Sequence, residues 1–259
     1  MKETPQLHEM DPTGRFSDRV ADYARYRPTY PLASAAAVIE GLGEPRTLRI
    51  ADVGAGTGIF SRVMASTGAA VLAIEPNEQM RTAGAGDRGG EGLDIEWREG
   101  TAEGTGLTSA SVDVVTCAQA FHWFRAAEAL AEFARVLRPR GRVALVWNDR
   151  DLSDPVSAGY SRLIEVASDG HAAANDHTRP QSLYDSALFR DARELRFSHR
   201  QRLDLTGLIG RATSASYIPK HGSRLEDLKA GLTELFERYA TDGTVELAYV
   251  TRVFLAEKA

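Results

Sequence analysis

The stretch from Ile50 to Gly58, read Ile-Ala-Asp-Val-Gly-Ala-Gly-Thr-Gly, restricts the fold of this chain more than any other. An apolar run that closes on an acid and a glycine-rich turn, and then opens a helix, is the junction at which an open α/β sheet binds a cofactor. The glycines let a ligand approach the backbone closely, although dinucleotide enzymes use a similar turn and many glycines only satisfy tight turns. Two neighbours narrow the choice. The dinucleotide pattern asks for a third Gly or Ala five residues after the first, and that position is Ile59. Asp52 sets a carboxylate beside the turn, where it repels a phosphate and attracts an ammonium group. Glu75, about twenty residues further on, is placed to accept hydrogen bonds from two ribose hydroxyls. A cofactor with an aminoacyl part fits better than a nucleotide diphosphate.

The surrounding pattern predicts an α/β fold. Leu48 to Val53, Val71 to Glu75, Ile95 to Glu99, Val112 to Cys117 and Arg142 to Trp147 read as buried strands, because runs covered on both faces need not alternate. Gly58 to Ser66, Asn77 to Ala85 and Ala126 to Leu137 read as helices between them. In the last, Ala126, Leu130, Phe133 and Leu137 recur at helical spacing, and Pro139 with Gly141 closes it. Leu195 to Arg200 and Val250 to Ala256 add two strands, with a helix at Arg224 to Tyr239 between them, so that residues 1–259 form one domain. Residues 1–45 read as an N-terminal cover, 46–149 as the cofactor half, 150–193 as a cap insertion with a helix near Tyr160 to Val166, and 194–259 as the C-terminal strands and helices.

Composition excludes several partners. Thirty-one basic and 36 acidic residues give a net charge of -5, which offers a phosphate backbone no general attraction, so nucleic acid is not expected. No apolar run approaches the ~20 residues that span a bilayer, so no membrane partner is expected either. The polar, turn-rich start lacks the order of a secretory signal, which predicts a cytoplasmic protein. The single cysteine, Cys117, and six histidines without ligand spacing predict no metal. A monomer or a homodimer fits equally.

The residues quoted so far, taken with Glu75-Pro76-Asn77 and Met80, Gly100-Thr-Ala-Glu103, Asp113 and Gln119-Ala-Phe-His-Trp-Phe124, resemble the class I S-adenosylmethionine-dependent methyltransferases, and within them the trans-aconitate-type small-molecule group. Tyr23-Ala-Arg-Tyr-Arg-Pro-Thr-Tyr-Pro31 and Tyr249-Val-Thr-Arg252 are similar to that group as well. The resemblance implies a Rossmann-like, mostly parallel sheet of seven strands in the order 3-2-1-4-5-7-6, the seventh antiparallel, with helices on both faces and a cap. It implies that Asp52 with Gly54, Ala55 and Gly56 holds the methionyl and ribose parts, and that Glu75, beside Pro76, takes the ribose hydroxyls. Ala102 and Glu103 would take the adenine edge and Met80 its face. Thr101 stands in the adenine segment where Asp is common in the wider superfamily; Ala118 and Gln119 border the cofactor after the fourth strand. Tyr23 and Arg27 would reach the methionyl carboxylate from the N-terminal cover. Met80 fits a core filler equally well, and Tyr23 and Arg27 fit surface packing.

The loop from Gln119 to Phe124 is where substrate class is read. It contains neither the Asn/Asp-Pro-Pro-aromatic run of enzymes that methylate amines of bases or glutamine amides, nor a Pro-Cys nucleophile for cytosine carbon. A small-molecule acceptor is expected, with the methylated atom, oxygen, nitrogen or carbon, unresolved. His122 fits a general base, a ligand for a carboxylate, or a ring stacked beside Trp123. Trp123, Trp147 and Asn148, at strand ends, are candidate walls of the acceptor pocket, and Trp147 is equally a candidate core residue. Tyr217 joins them by resemblance. The competing readings are a cofactor-binding regulatory or assembly protein without turnover, and an NAD-dependent oxidoreductase, which Ile59 and Asp52 oppose.

Overall fold

The central strands of the sheet are apolar on both sides because helices cover both sides, whereas the edge strands are largely polar. The computed structural model describes residues 25–169, 180–215 and 217–259. Helix α1 (Leu32–Ile39) precedes β1 (Arg49–Val53), α2 (Ile59–Ala65), β2 (Ala70–Ile74), α3 (Glu78–Ala85), β3 (Ile95–Arg98) and β4 (Val112–Ala118). Then follow α4 (Ala126–Val136), β5 (Leu137–Arg150), α5 (Pro155–Ala167), α6 (Gln181–Tyr184), β6 (Phe189–Leu203), α7 (Leu205–Thr213), α8 (Ser223–Tyr239) and β7 (Val245–Lys258). The strands form one seven-stranded sheet in the order β3-β2-β1-β4-β5-β7-β6. β1 to β5 pair in parallel, and β7 runs antiparallel to β5 and β6. This is the expected topology.

Alternate residues of a strand face opposite sides of the sheet. Ile50, Val71, Val114 and Ala144 accordingly pack with Val38 of α1 and Phe60 and Met64 of α2. Ala51, Leu72, Val115 and Val143 pack on the other side with Leu130 and Phe133 of α4. Asp113 ties the start of β4 to its neighbours, accepting from the Arg49 amide at 2.8 Å and from Arg138.

The strand limits differ from the sequence reading where polar residues carry no apolar signal. β6 and β7 extend over 15 and 14 residues, well beyond the apolar segments Leu195 to Arg200 and Val250 to Ala256, because each supplies the other's ladder over most of its length. α4 stops at Val136, and Leu137 already pairs with Val112 before a shift in register brings Arg142 opposite Val114. Pro139 and Gly141 thus mark a loop-out within β5 rather than its approach.

Residues 155–167 form a full helix, whose cap Asp154 accepts from the Ser157 amide at 2.9 Å. Its face of Tyr160, Ile164 and Ala167 packs with Leu208 and Ala212 of α7, Leu228 and Leu232 of α8, and Leu247 and Tyr249 of β7. The C-terminal part of the chain thereby has an apolar cluster of its own, beside the sheet. The stretch read as a cap lies partly outside the described residues, as does most of the N-terminal cover, including Tyr23.

Candidate active site

The glycine turn is built by its neighbours. Gly54, Gly56 and Gly58 have φ of 69°, 58° and 77°, a region that side chains rarely enter. Gly54 is also held closely, since a Cβ there would lie 2.7 Å from the Ala120 Cβ and 2.9 Å from Phe124 Cζ. The turn thus fits against the loop after β4, and the two together line one cavity of about 270 Å³ at the carboxyl ends of β1, β2 and β4. That size lies near the lower end of the usual range for small-molecule sites.

Two buried carboxylates mark this cavity. Asp52, at the end of β1, is 1% exposed and accepts from the Ser61 hydroxyl at 2.5 Å and the Thr116 hydroxyl at 2.8 Å. Burial pushes its carboxyl from the ordinary 3.8 up to about 6, against the pull of those two hydrogen bonds and with a small further push from Glu75. Glu75, just past β2, accepts from the Gly56 amide at 2.9 Å and from the Asn77 amide at 3.0 Å. Burial raises its carboxyl as well, opposed by those two amides and by Arg81. Glu75 therefore pins the glycine turn to the start of α3, and its two oxygens retain lone pairs for further donors.

The raised carboxyl of Asp52 has a definite pH signature. Below 3.8 the group is protonated in the folded and unfolded chain alike and costs folding nothing, while above about 6 it is ionised in both and its full cost is present. Folding stability from this group therefore falls between those values as pH rises. A cation that binds beside Asp52 favours the ionised form, so its affinity should rise with pH through about 6 and then level. Calorimetric titration of S-adenosylhomocysteine across that range checks this, and Asp52→Asn should flatten the profile.

Of the residues singled out in the sequence, Asp52, Gly54, Ala55, Gly56, Glu75, Pro76, Met80, Thr101, Ala102, Glu103, Ala118, Gln119 and Trp123 all line this cavity. Met80 is buried, with its sulfur against Gly56, where an added Cβ would lie 3.6 Å from Sδ. Glu103 accepts from the Arg125 amide at 2.9 Å. Gln119 has a φ of 56°, uncommon for a side chain of its size, and its Nε2 donates to the Asn148 carbonyl at 3.2 Å.

Other candidates lie elsewhere. His122 is half-buried in the short helix Phe121–Trp123, its ring 5.1 Å from that of Trp123, and it is not among the residues lining the cavity. Trp147 is 3% exposed, packs edge-on against Phe254 in the cluster under α4, and is not among the residues lining the cavity. Asn148, the next residue of the strand and so on its other face, is buried, donating to the Thr29 carbonyl at 3.0 Å and accepting from Thr251 at 2.5 Å. Arg27 is half-buried on the segment leading to Tyr30, and Tyr217 packs beside the cluster of α5, α7 and α8. Tyr30, Thr57, Phe60, Phe124 and Arg125 line the cavity without having been read as cofactor contacts. All stand within a few residues of motif positions, and Tyr30 and Phe60 meet edge-on at 4.8 Å.

Residues 51–145, which span the turn, both carboxylates and the loop after β4, match a family model described as a methyltransferase domain. The chain carries a class I, S-adenosylmethionine-dependent methyltransferase domain. The match decides against the dinucleotide reading that the glycine turn alone leaves open. This methyltransferase is 29% identical to an uncharacterized methyltransferase of Schizosaccharomyces pombe over 94% of the chain and 96% of that protein. It is 38% identical to an uncharacterized methyltransferase of Mycobacterium tuberculosis over 52% of the chain, an alignment that spans about half of the mycobacterial protein, 53% of its length. Its fold resembles the crystal structure of the YcgJ protein from Bacillus subtilis, with a TM-score of 0.57 at 19% identity over 87% of this chain and 98% of that one. Among the described residues of the methyltransferase, no helix is long and apolar enough to cross a membrane, and no group of His, Cys, Asp and Glu is arranged to hold a metal ion.

Proposed function

We propose that this methyltransferase moves a methyl group onto a small-molecule acceptor, as the trans-aconitate-type group that its motifs resemble does. The observation that carries the reading is the wall formed by Gln119, Trp123 and Phe124, which borders the same cavity as Asp52 and Glu75. An acceptor against that wall lies beside whatever the glycine turn holds. The chain's net charge of -5 argues against a nucleic-acid acceptor.

The cavity fits S-adenosylmethionine in its donor set. Glu75, with lone pairs beyond the two amides it already accepts, takes the ribose hydroxyls. Asp52 faces the ammonium group. Ala102 and Met80 offer apolar surface to the adenine ring, with Glu103 at its edge. The bound cofactor supplies a methyl group already activated on a sulfonium. What remains for the protein is to align the acceptor for in-line displacement and to exclude water, which Gln119 and Trp123 do from the acceptor side.

His122 lies outside the lining but beside Trp123 of this wall, and it is the candidate to act on the acceptor as a general base or as an orienting group. A base titrating near its ordinary value of ~6.5 makes methyl transfer rise with pH through that region, and an orienting group leaves the profile flat. His122→Ala abolishes the rise in the first case. Full turnover of the variant at every pH makes His122 a structural residue. The test of the reading itself is incubation with cofactor labelled in the methyl group and a metabolite extract. A labelled small molecule supports it, and cofactor binding with no labelled product points to a binding protein without turnover.

A further inference from the structure

Arg81, on α3, holds the backbone that carries Glu75. Its Nη1 donates to the Glu75 carbonyl at 2.7 Å and to the Pro76 carbonyl at 2.8 Å, while Nη2 meets the Glu99 carboxylate at 3.5 Å. Glu99 is largely exposed, so that ion pair contributes little, and the two carbonyls are the substantial partners. Both carbonyls lie between β2 and α3, outside either element, at a proline that has no N–H with which to tie the turn itself. Arg81 also stands only four residues past the cap Asn77, toward the end of α3 at which the helix dipole does not favour a cation. What it holds locally, rather than the helix, accounts for its place.

Glu75, Pro76, Asn77 and Met80 line the cofactor cavity, and Arg81 is not among the lining residues. It therefore acts from behind the wall. In front, Glu75 Oε2 accepts from the Gly56 amide and Oε1 from the Asn77 amide, which leaves each oxygen a lone pair for one further hydroxyl. Whether both hydroxyls are met together depends on the tilt of the carboxylate, and hence on the turn that Arg81 holds. Two charged groups face the Glu75 carboxyl, the like charge of Asp52 on β1 and the cation of Arg81 on α3. Glu99 reaches Arg81 from the end of β3, and Glu103 borders the same cavity. Burial raises the Glu75 carboxyl, and Arg81 works against that rise.

We propose that Arg81 is the positioning residue of the ribose site, clamping the Glu75–Pro76 turn from behind so that the two oxygens of Glu75 meet both cofactor hydroxyls at once. The proposal rests on the reading above that Glu75 takes those hydroxyls. A planar guanidinium suits the task, since its fork serves two carbonyls and a carboxylate in one fixed arrangement. The consequence is selectivity for ribose over deoxyribose, set by a residue that touches neither.

The test is isothermal titration of the full chain with S-adenosylhomocysteine and with its 2′-deoxy and 3′-deoxy analogues. The parent should bind each analogue roughly tenfold or more weakly, the worth of one hydrogen bond to a charged acceptor. Arg81→Met should lose roughly tenfold on S-adenosylhomocysteine and far less on the analogues, so that the preference for ribose shrinks to within about threefold. Arg62 supplies the control, since it donates to the Thr57 carbonyl at 2.8 Å and pairs with Asp87 at 3.2 Å, clamping the glycine turn without touching Glu75. Arg62→Met should weaken all three ligands by the same factor. The pH dependence of the ratio gives a second readout, in which Asp52 cancels because it faces the ammonium group common to the three ligands. Without the cation the Glu75 carboxyl rises further, so as pH falls the ribose preference should disappear at a higher pH, and Arg81→Lys should restore it. Equal losses on the three ligands in Arg81→Met, an undiminished ribose preference, the same shrinkage in Arg62→Met, or no recovery in Arg81→Lys overturns the proposal while Glu75 keeps its role. A parent with no ribose preference removes Glu75 from the ribose, and the proposal falls with that reading. If Arg81→Met does not fold, Arg81→Gln gives the same comparison.

Discussion

Replacing Glu75 with alanine should weaken binding of S-adenosylmethionine and its demethylated product about a hundredfold or more. The ribose contacts alone set a floor, since one hydrogen bond to a buried charged acceptor is worth about 1.5–3 kcal/mol, or roughly ten- to a hundredfold. The geometry adds a second loss, because the same side chain accepts from the Gly56 and Asn77 amides and so holds the turn in place. Glu75→Gln keeps the shape and an acceptor, and should recover part of the loss. Isothermal titration of both variants separates the two contributions. Equal affinity in the alanine variant and the parent would remove Glu75 from the site.

Gly54→Ala should be the most damaging change of a single methyl group. The residue has a φ of 69°, which costs a side chain about 1–2 kcal/mol. The new Cβ would lie 2.7 Å from Ala120 and 2.9 Å from Phe124, an overpacking typically worth another ~1–3 kcal/mol. For a chain of this size the two together lower Tm by roughly 5–15 °C. Relief comes only by pushing the loop after β4 away from the turn, so cofactor affinity should fall as well. Unchanged thermal denaturation and unchanged titration of the variant would mean that the two loops do not meet as described.

The cofactor side of the site was legible because its signals are local. A strand, a glycine turn and a helix placed Asp52, Gly54 and Gly56, and the end of the following strand placed Glu75, all within one stretch of chain. The acceptor side was less legible, because it depends on which way a residue faces. Trp147 stands two residues after Leu145 and four after Val143, and it shares their face against α4. In a strand buried on both sides no alternation of polarity reveals that parity, so a tryptophan at the strand's end read equally as pocket wall and as core.

The central claim is that the cavity between the glycine turn and the loop after β4 holds S-adenosylmethionine. Isothermal titration of the purified chain with S-adenosylhomocysteine, and in parallel with NAD, tests it most directly. The account predicts saturable binding of the first at roughly micromolar Kd, lost in Glu75→Ala, and no binding of the second. Binding of NAD with none of S-adenosylhomocysteine, or an affinity that Glu75→Ala leaves untouched, would contradict it.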